Sequence, residues 1–210
     1  DEASYKYVLG WMARAVQLPG EQGEVALVLR GGKGTGKGTL GHALRRLFGQ
    51  YALYITHAEH LTGRFNSHLL DAVFIFADEA FFAGNRAHEG VLKGLVTDPV
   101  LMVEGKFQKA FTARNVAHVL MASNSEWIVP ATADERRFCV LDVSDAKRGN
   151  FEYFKALHDE LNAGGIAAML HDLLAYDLTG YQVRDVPQTA ALADQKALTR
   201  RGVDAWWAEC

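Results

Sequence analysis

The sequence predicts an α/β fold, a single parallel sheet covered by helices, and three observations carry that expectation. Apolar, β-rich runs recur at Val25–Leu29, Tyr51–Ile55, Ala72–Ala77, Val116–Ala122 and Phe138–Val143. Most are separated by helical or polar stretches, as parallel strands require, because their connections must cross over the sheet. The first run leads directly into GGKGTGKGTL at Gly31–Leu40, so a buried strand feeds a glycine-rich loop and then a helix. With 210 residues, 49% hydrophobic and 22% charged, the chain suits one globular domain with a sizeable core and a small appended helical piece.

Taken in order, Tyr5, Val8, Leu9, Met12 and Val16 recur at steps of three and four and predict an amphipathic helix that stops near Pro19 and Gly20. After the first strand and its loop, Leu40, Leu44 and Leu47 share one face of a helix running to Phe48. Between the third and fourth runs the pattern predicts a helix around Glu89–Val96 and a hairpin over Val100–Arg114. Beyond Asp145 the pattern turns helical. Phe151, Phe154, Leu157 and Leu161 are expected on one face, Ile166–Tyr176 form a second apolar helix, and a polar linker through Pro187 leads to a last stretch with Trp206 and Trp207. The expected division is 1–20 as an N-terminal helical segment, 21–145 as the core with its hairpin near 100–114, and 146–210 as a C-terminal helical subdomain. The chain starts at Asp1 rather than methionine and opens directly into an amphipathic pattern, which suggests a domain taken from a longer protein.

The glycine-rich loop carries the clearest chemistry. Gly31, then four residues, then Gly36 and Lys37 matches the spacing in which backbone N–H groups surround phosphates and the lysine reaches the β and γ oxygens. The following helix points the positive end of its dipole at the same place. Gly31, Gly32, Gly34, Thr35, Gly36, Lys37, Gly38 and Thr39 are therefore the candidate nucleotide-binding residues. The position after Lys37, where a hydroxyl ligates Mg²⁺, holds Gly38, with Thr39 one residue later. Magnesium is then expected to be held through water and a carboxylate elsewhere, with Thr39 free to donate to the α-phosphate.

That carboxylate is expected at the end of the third run, FIFADE, where Asp78 would hold the metal shell and Glu79 would orient and deprotonate water. Asp78 and Thr39 are the metal candidates. A second carboxylate favours hydrolysis over transfer to a bound acceptor, which must exclude water. The fourth run ends in Ser123 and Asn124, and an amide there could bond both the attacking water and the γ-phosphate, although Asn also ends strands for turn reasons. Arg136 and Arg137 precede the fifth run and either pair with Asp134 and Glu135 or are offered across a subunit boundary to a transition state, Arg137 being preferred. In the hairpin, Glu104–Arg114 sets three cations against one carboxylate. Lys106 and Lys109 would grip phosphates without reading sequence while Phe107 stacks on a base, or the segment is a solvated hairpin with its Phe turned inward. Asn66 and His68 in GRFNSHL read as cap or loop residues.

Composition sets limits on these ideas. A net charge of −3 and pI near 6.3 argue against coating nucleic acid through overall basicity, so any DNA contact is local. No apolar stretch reaches the ~18 residues of a membrane span and no secretion signal opens the chain, so a cytoplasmic protein without membrane contact is expected. The two cysteines lie far apart, and Cys139 falls in an apolar run where a buried reduced thiol is expected. His57 and His60 have helix-face spacing without a second ligand pair, so no zinc site is expected.

The order of loop, Asp-Glu strand, basic hairpin, Ser-Asn strand end and following arginine resembles a superfamily 3 helicase domain, as in phage and plasmid primase-helicases. The resemblance covers about Tyr5–Val143, and WMARAVQLPG, GRFNSHL, ADERRF and the tail DVPQTAALADQKAL look similar to the phage primase-associated branch. The resemblance implies an ASCE-type P-loop sheet with the Asn124 strand inserted between the loop strand and the acidic strand. It further implies a hexameric ring with ATP between subunits, translocation along single-stranded DNA, and an attached or partner primase. Two rivals remain: a nucleoside monophosphate kinase-like phosphotransferase, which would need an arginine-rich lid that is not evident before Arg136, and a non-processive loader or initiator switch.

Overall fold

The computed structural model describes residues 1–79 and 86–199; Trp206 and Trp207 lie outside the described residues. Helix α1 (Glu2–Gln17) is capped by the Asp1 carboxylate, which accepts from the Ser4 N–H. Its Trp11 is fully buried and donates from the indole N–H to the Val25 carbonyl, fixing the helix to the start of the first strand.

Strand β1 (Ala26–Arg30) is followed by α2 (Lys37–Phe48), β2 (Ala52–Ile55), the short α3 (Glu59–Thr62) and β3 (Phe74–Asp78). Then come α4 (Arg86–Thr97), the antiparallel hairpin β4 (Val100–Val103) and β5 (Phe111–Arg114), β6 (His118–Ser123) and β7 (Phe138–Asp142). Five strands form one parallel sheet in the order β2-β3-β6-β1-β7. All five apolar runs are strands, most of them a residue or two further along than the pattern suggested. Every residue of β6 is buried, and β1, β3 and β7 are buried over most of their length. Burial on both faces is why these strands read as unbroken apolar runs without alternation.

β6 lies between β1 and β3, the arrangement that the resemblance implied. In register, Arg30 pairs with Ser123 and Asp78 with Ala122, so the C-terminal ends of the three strands finish side by side. Helix α2 starts at Lys37, three residues before the apolar pattern becomes visible, and packs on β3. Gly41 permits that contact, since a Cβ there would lie 2.4 Å from the Phe76 ring.

The C-terminal helices α5 (Phe151–Glu160) and α6 (Ile166–Ala175) join through a wide turn at Leu161–Gly165, and α7 (Ala190–Thr199) follows. Phe151 departs from expectation: it is 85% exposed, while Phe154, Leu157 and Leu161 are half-buried. It stands next to the cap Asn150, where the chain has not yet turned its apolar face inward. α6 packs on α1 and α2, where the Gln17 amide donates to the carbonyls of Leu173 and Tyr176. α7 packs on β7, and the Arg30 guanidinium spans Asp142 and Asp194 to tie strand to helix. The buried Gln195 side chain accepts from the Ile128 and Val129 N–H groups and donates to the Glu126 carbonyl.

Candidate functional site

The loop between β1 and α2 curls around its own lysine. Lys37 Nζ donates to the Gly31 and Gly32 carbonyls at 2.7 and 2.8 Å and the residue is only 7% exposed, so the ammonium is held inside the loop. One N–H of the three remains for a ligand. Gly36 sits in the left-handed region at φ +96°, and a Cβ there would come within 2.9 Å of the Phe154 ring, so both backbone and space require glycine. Thr35 Oγ1 donates back to the Gly32 carbonyl and closes the turn. The arrangement is a concave nest at a helix N-terminus, the geometry that binds anions.

Facing the loop, β3 delivers Asp78 and Glu79, and the chain beyond β6 delivers Asn124. All three line a cavity of about 670 Å³ together with Lys37, Gly38 and Thr39. Asp78 Oδ2 accepts from the Tyr54 hydroxyl at 3.0 Å; burial, and then the contact with Asp78, raise the Tyr54 phenol above its usual pKa. Glu79 extends the β3–β6 ladder by donating from its N–H to the Ala122 carbonyl, yet its φ is +56°, a conformation that costs a residue with a Cβ about 1–2 kcal/mol. The Asn124 N–H points at Glu79 Oε2 across 3.4 Å. The twist at Glu79 turns its carboxylate away from the strand direction and toward Asn124.

Asp78, with Tyr54 on one oxygen, keeps lone pairs for a divalent cation or its water shell, and Gly38 contributes no hydroxyl. Among the described residues no group of three or more His, Cys, Asp or Glu is placed to hold a metal unaided. A magnesium ion at this cavity would therefore take most of its ligands from water and from the oxygens of a bound phosphate, the usual pattern for that ion.

Several lining residues escaped the sequence reading. His42 projects from α2 edge-on to Phe76 and against Tyr54, and Phe154 and His158 of α5 close the side of the cavity. Arg45 lies over the Tyr54 ring. Tyr54 and His42 carry no motif; His42 is marked only by its place on the helix after the loop, and Tyr54 by its contact with Asp78. Phe154 arrives from far along the chain.

Arg136 and Arg137 lie at the opposite edge of the sheet, before β7, where the Arg137 carbonyl accepts from the Ala26 N–H at the first residue of β1. The pairing with an acidic neighbour has a counterpart in Glu135. Glu135 is buried and its Oε1 accepts from the N–H groups of Arg136 and Arg137 and, at 3.4 Å, from the Arg137 guanidinium. Arg136 is exposed. Neither arginine lines the cavity at the loop of its own chain.

The hairpin reaches its tip through Gly105–Gln108, where the Gln108 N–H returns to the Gly105 carbonyl. Phe107 occupies the position of this turn that favours glycine, at φ +64°, and is 97% exposed. Lys106 lies 5.4 Å from its ring and Lys109 is exposed beside it. The inward-turned Phe is thus replaced by one presented wholly to solvent. At the root, the buried Asn115 amide donates to the Leu95 and Asp98 carbonyls. Asn66 caps no helix with its side chain: its Nδ2 donates to the Met102 carbonyl and its Oδ1 accepts from the Glu104 N–H.

The family model described as a family of unknown function (DUF5906) matches residues 29–137, from the end of β1 through the loop, the Asp-Glu strand, the hairpin and the arginine pair. The chain belongs to this family. A DNA primase-polymerase of Nitratiruptor phage NrS-1 is 25% identical over 175 residues, which cover 81% of this chain and 24% of that protein. The chain is homologous to part of that phage primase-polymerase and spans about a quarter of its length. Two apo structures of the NrS-1 C-terminal region share the fold, with TM-scores of 0.84 and 0.82 at 21% and 23% identity, over 96% of this chain and 49% and 48% of theirs. The matched DUF5906 segment contains all the cavity-lining residues except those contributed by α5. No helix among the described residues is long and apolar enough to cross a membrane.

Proposed function

We propose that this chain is the P-loop ATPase motor of a phage replication protein, a helicase or translocase domain that hydrolyses ATP and grips single-stranded DNA. The observation that carries the reading is the convergence on one cavity of a glycine loop wrapped around Lys37 with two carboxylates and an amide from neighbouring strand ends. Lys37 and the loop N–H groups bind the β- and γ-phosphates, and Thr35 and Thr39 hold the loop and the α-phosphate. Asp78 holds the water shell of Mg²⁺, which would supply charge neutralisation between the phosphates. Glu79, turned toward Asn124, takes the proton of the attacking water, and Asn124 orients that water.

Arg136 or Arg137, at the far edge of the sheet, serves the nucleotide of a neighbouring copy in an oligomeric ring of the hexameric kind. Homology to a phage DNA primase-polymerase supports a place in phage DNA replication, in the host cytoplasm and with a primase attached or in partnership. The exposed Phe107, at a costly backbone angle and flanked by lysines, supports the hairpin as the DNA grip.

The test is phosphate release from Mg-ATP with and without oligo(dT). Turnover that rises on adding single-stranded DNA supports a motor. Transfer to a nucleoside monophosphate acceptor without DNA stimulation supports the kinase, and tight ATP binding with negligible turnover in either condition supports the loader or switch.

A further inference from the structure

A second cation–aromatic pair lies beside the hairpin. Arg64 and Phe65 precede the short turn at Ser67–Leu69; the Arg64 guanidinium lies 5.6 Å from the Phe65 ring, and Phe65 is 52% exposed. The arrangement repeats that of Lys106 and Phe107 at the hairpin tip: a large ring in solvent with a cation against it. The first pair is tied to the hairpin just below its tip. Asn66 grips β4 and the residue after it through its Nδ2 to the Met102 carbonyl at 2.8 Å, its Oδ1 from the Glu104 N–H at 2.8 Å and its own N–H to the Glu104 carbonyl at 3.1 Å. Arg64 adds a forked contact to the Glu104 carboxylate, with Nε to the two oxygens at 3.0 and 3.1 Å and the terminal nitrogen at 2.8 Å.

That fork also changes the local charge. Glu104 is the one carboxylate within Glu104–Arg114, and Arg64 holds its pKa below the usual range, so it is ionised. Left bare, it would oppose a phosphate approaching Lys106. Paired with Arg64 it is neutralised, and the guanidinium keeps N–H groups outside the fork for a further acceptor. Two exposed rings, each with a cation against it, form a repeating surface matched to a flexible polyanion with planar bases.

We propose that Arg64 and Phe65 form a second nucleotide-binding step for single-stranded DNA, held in fixed relation to the hairpin tip by Asn66. This inference rests on the reading of the hairpin as a DNA grip. Phe65 stacks a base next to the one stacked by Phe107, and Asn66 is a positioning residue that keeps the two rings in register.

The test is binding of fluorescent oligo(dT), measured by anisotropy across a salt series. Wild type is compared with Phe65→Ala, Phe65→Leu and Phe65→Tyr and with the Lys106→Ala/Lys109→Ala double variant, and melting curves confirm folding. Loss of one stacked base weakens binding about 5- to 150-fold, so Phe65→Ala and Phe65→Leu should fall in that range while Phe65→Tyr restores affinity. The salt slope should stay at the wild-type value in all three, because no charge is removed. The lysine variant should instead flatten the slope by about 0.7 for each lost phosphate contact. Wild-type affinity in Phe65→Ala alongside a flattened slope in the lysine variant overturns the second step and leaves the hairpin grip standing. Weakened binding in Phe65→Ala with an unchanged lysine variant supports the second step and removes the hairpin lysines. No change in either variant overturns both.

Discussion

Replacing Lys37 with Ala separates nucleotide binding from folding, and the size of the effect follows from the geometry of the loop. The ammonium donates to two loop carbonyls and the side chain is nearly buried, so the substitution is not a neutral surface change. Hydrogen bonds to a charged group contribute about 1.5–3 kcal/mol, and part of that is recovered when water reaches the freed Gly31 and Gly32 carbonyls. The variant should therefore melt a few degrees below wild type in buffer alone. Added Mg-ATP at about 100 times its dissociation constant contributes ~2.7 kcal/mol to the wild type. At ~2.1 cal/mol/K per residue, a chain of 210 residues has an unfolding entropy near 0.44 kcal/mol/K, so that gain appears as a rise in Tm of about 6 °C. In Lys37→Ala the rise should be under about 1 °C. Differential scanning fluorimetry with and without Mg-ATP gives both numbers for both proteins. A variant that melts lower in buffer yet gains the full wild-type shift would show that the loop does not bind ATP through this lysine.

Three further outcomes are expected. Glu79→Gln should keep the ATP-induced thermal shift and lose turnover, because the amide still meets the Asn124 N–H but takes no proton; wild-type phosphate release in the variant assigns the base elsewhere. Arg136→Ala and Arg137→Ala should each be mixed with Glu79→Gln subunits, and the finger is the arginine whose mixture regains activity, since an intact Glu79 then meets an intact arginine across part of the interfaces. Failure of both mixtures at every ratio removes the finger from both and leaves Arg137 its contact with Glu135 within the subunit. His118 is buried between Trp11 and the carbonyls of Val73 and Val116, and burial, with a smaller contribution from Arg14, lowers its pKa to about 4. The unfolded chain binds a proton near pH 6.5 that the folded chain refuses until about pH 4. Stability is therefore full above pH 6.5 and falls by about 2 kcal/mol on going down to pH 5. Urea unfolding at pH 8 and pH 5 measures the loss, which His118→Gln should largely remove.

Much of the fold was legible because a parallel sheet buries both faces of its strands, so each strand announced itself as an apolar run whatever its neighbours were. The order of those strands was not a property of any run. The place of β6 between β1 and β3 came from the resemblance, and the register bears it out; the outer places of β2 and β7 came from the structure alone. The loop, Asp78, Glu79 and Asn124 could be read because each belongs to a short local pattern at a strand end. Tyr54, His42, Phe154 and His158 could not: Phe154 and His158 come to the cavity from α5, far along the chain, Tyr54 meets Asp78 only through strand pairing, and His42 on α2 belongs to no pattern. Asn66 shows the limit most plainly. A polar residue ahead of a short turn reads as a cap, and only the fold brings the edge of β4 close enough to take its side chain. Phe151 failed in the opposite sense: helical spacing marked a face, but not where along the helix that face starts to be covered.

The excursion between β3 and β6 leaves the sheet at Glu79, at the C-terminal edge, and returns at His118, at the N-terminal edge. Its root therefore lies on the side of Arg136 and Arg137, and Thr97 shares a small polar cavity with both arginines. The molecule thus has two unlike ends, one with the glycine loop and the other with the arginines and the hairpin root. Copies that meet through such ends join head to tail, closing into a ring or running on as a filament. In either arrangement a subunit damaged at one end alone keeps the other end intact for a neighbour, which is why mixing two variants damaged at opposite ends can restore whole interfaces.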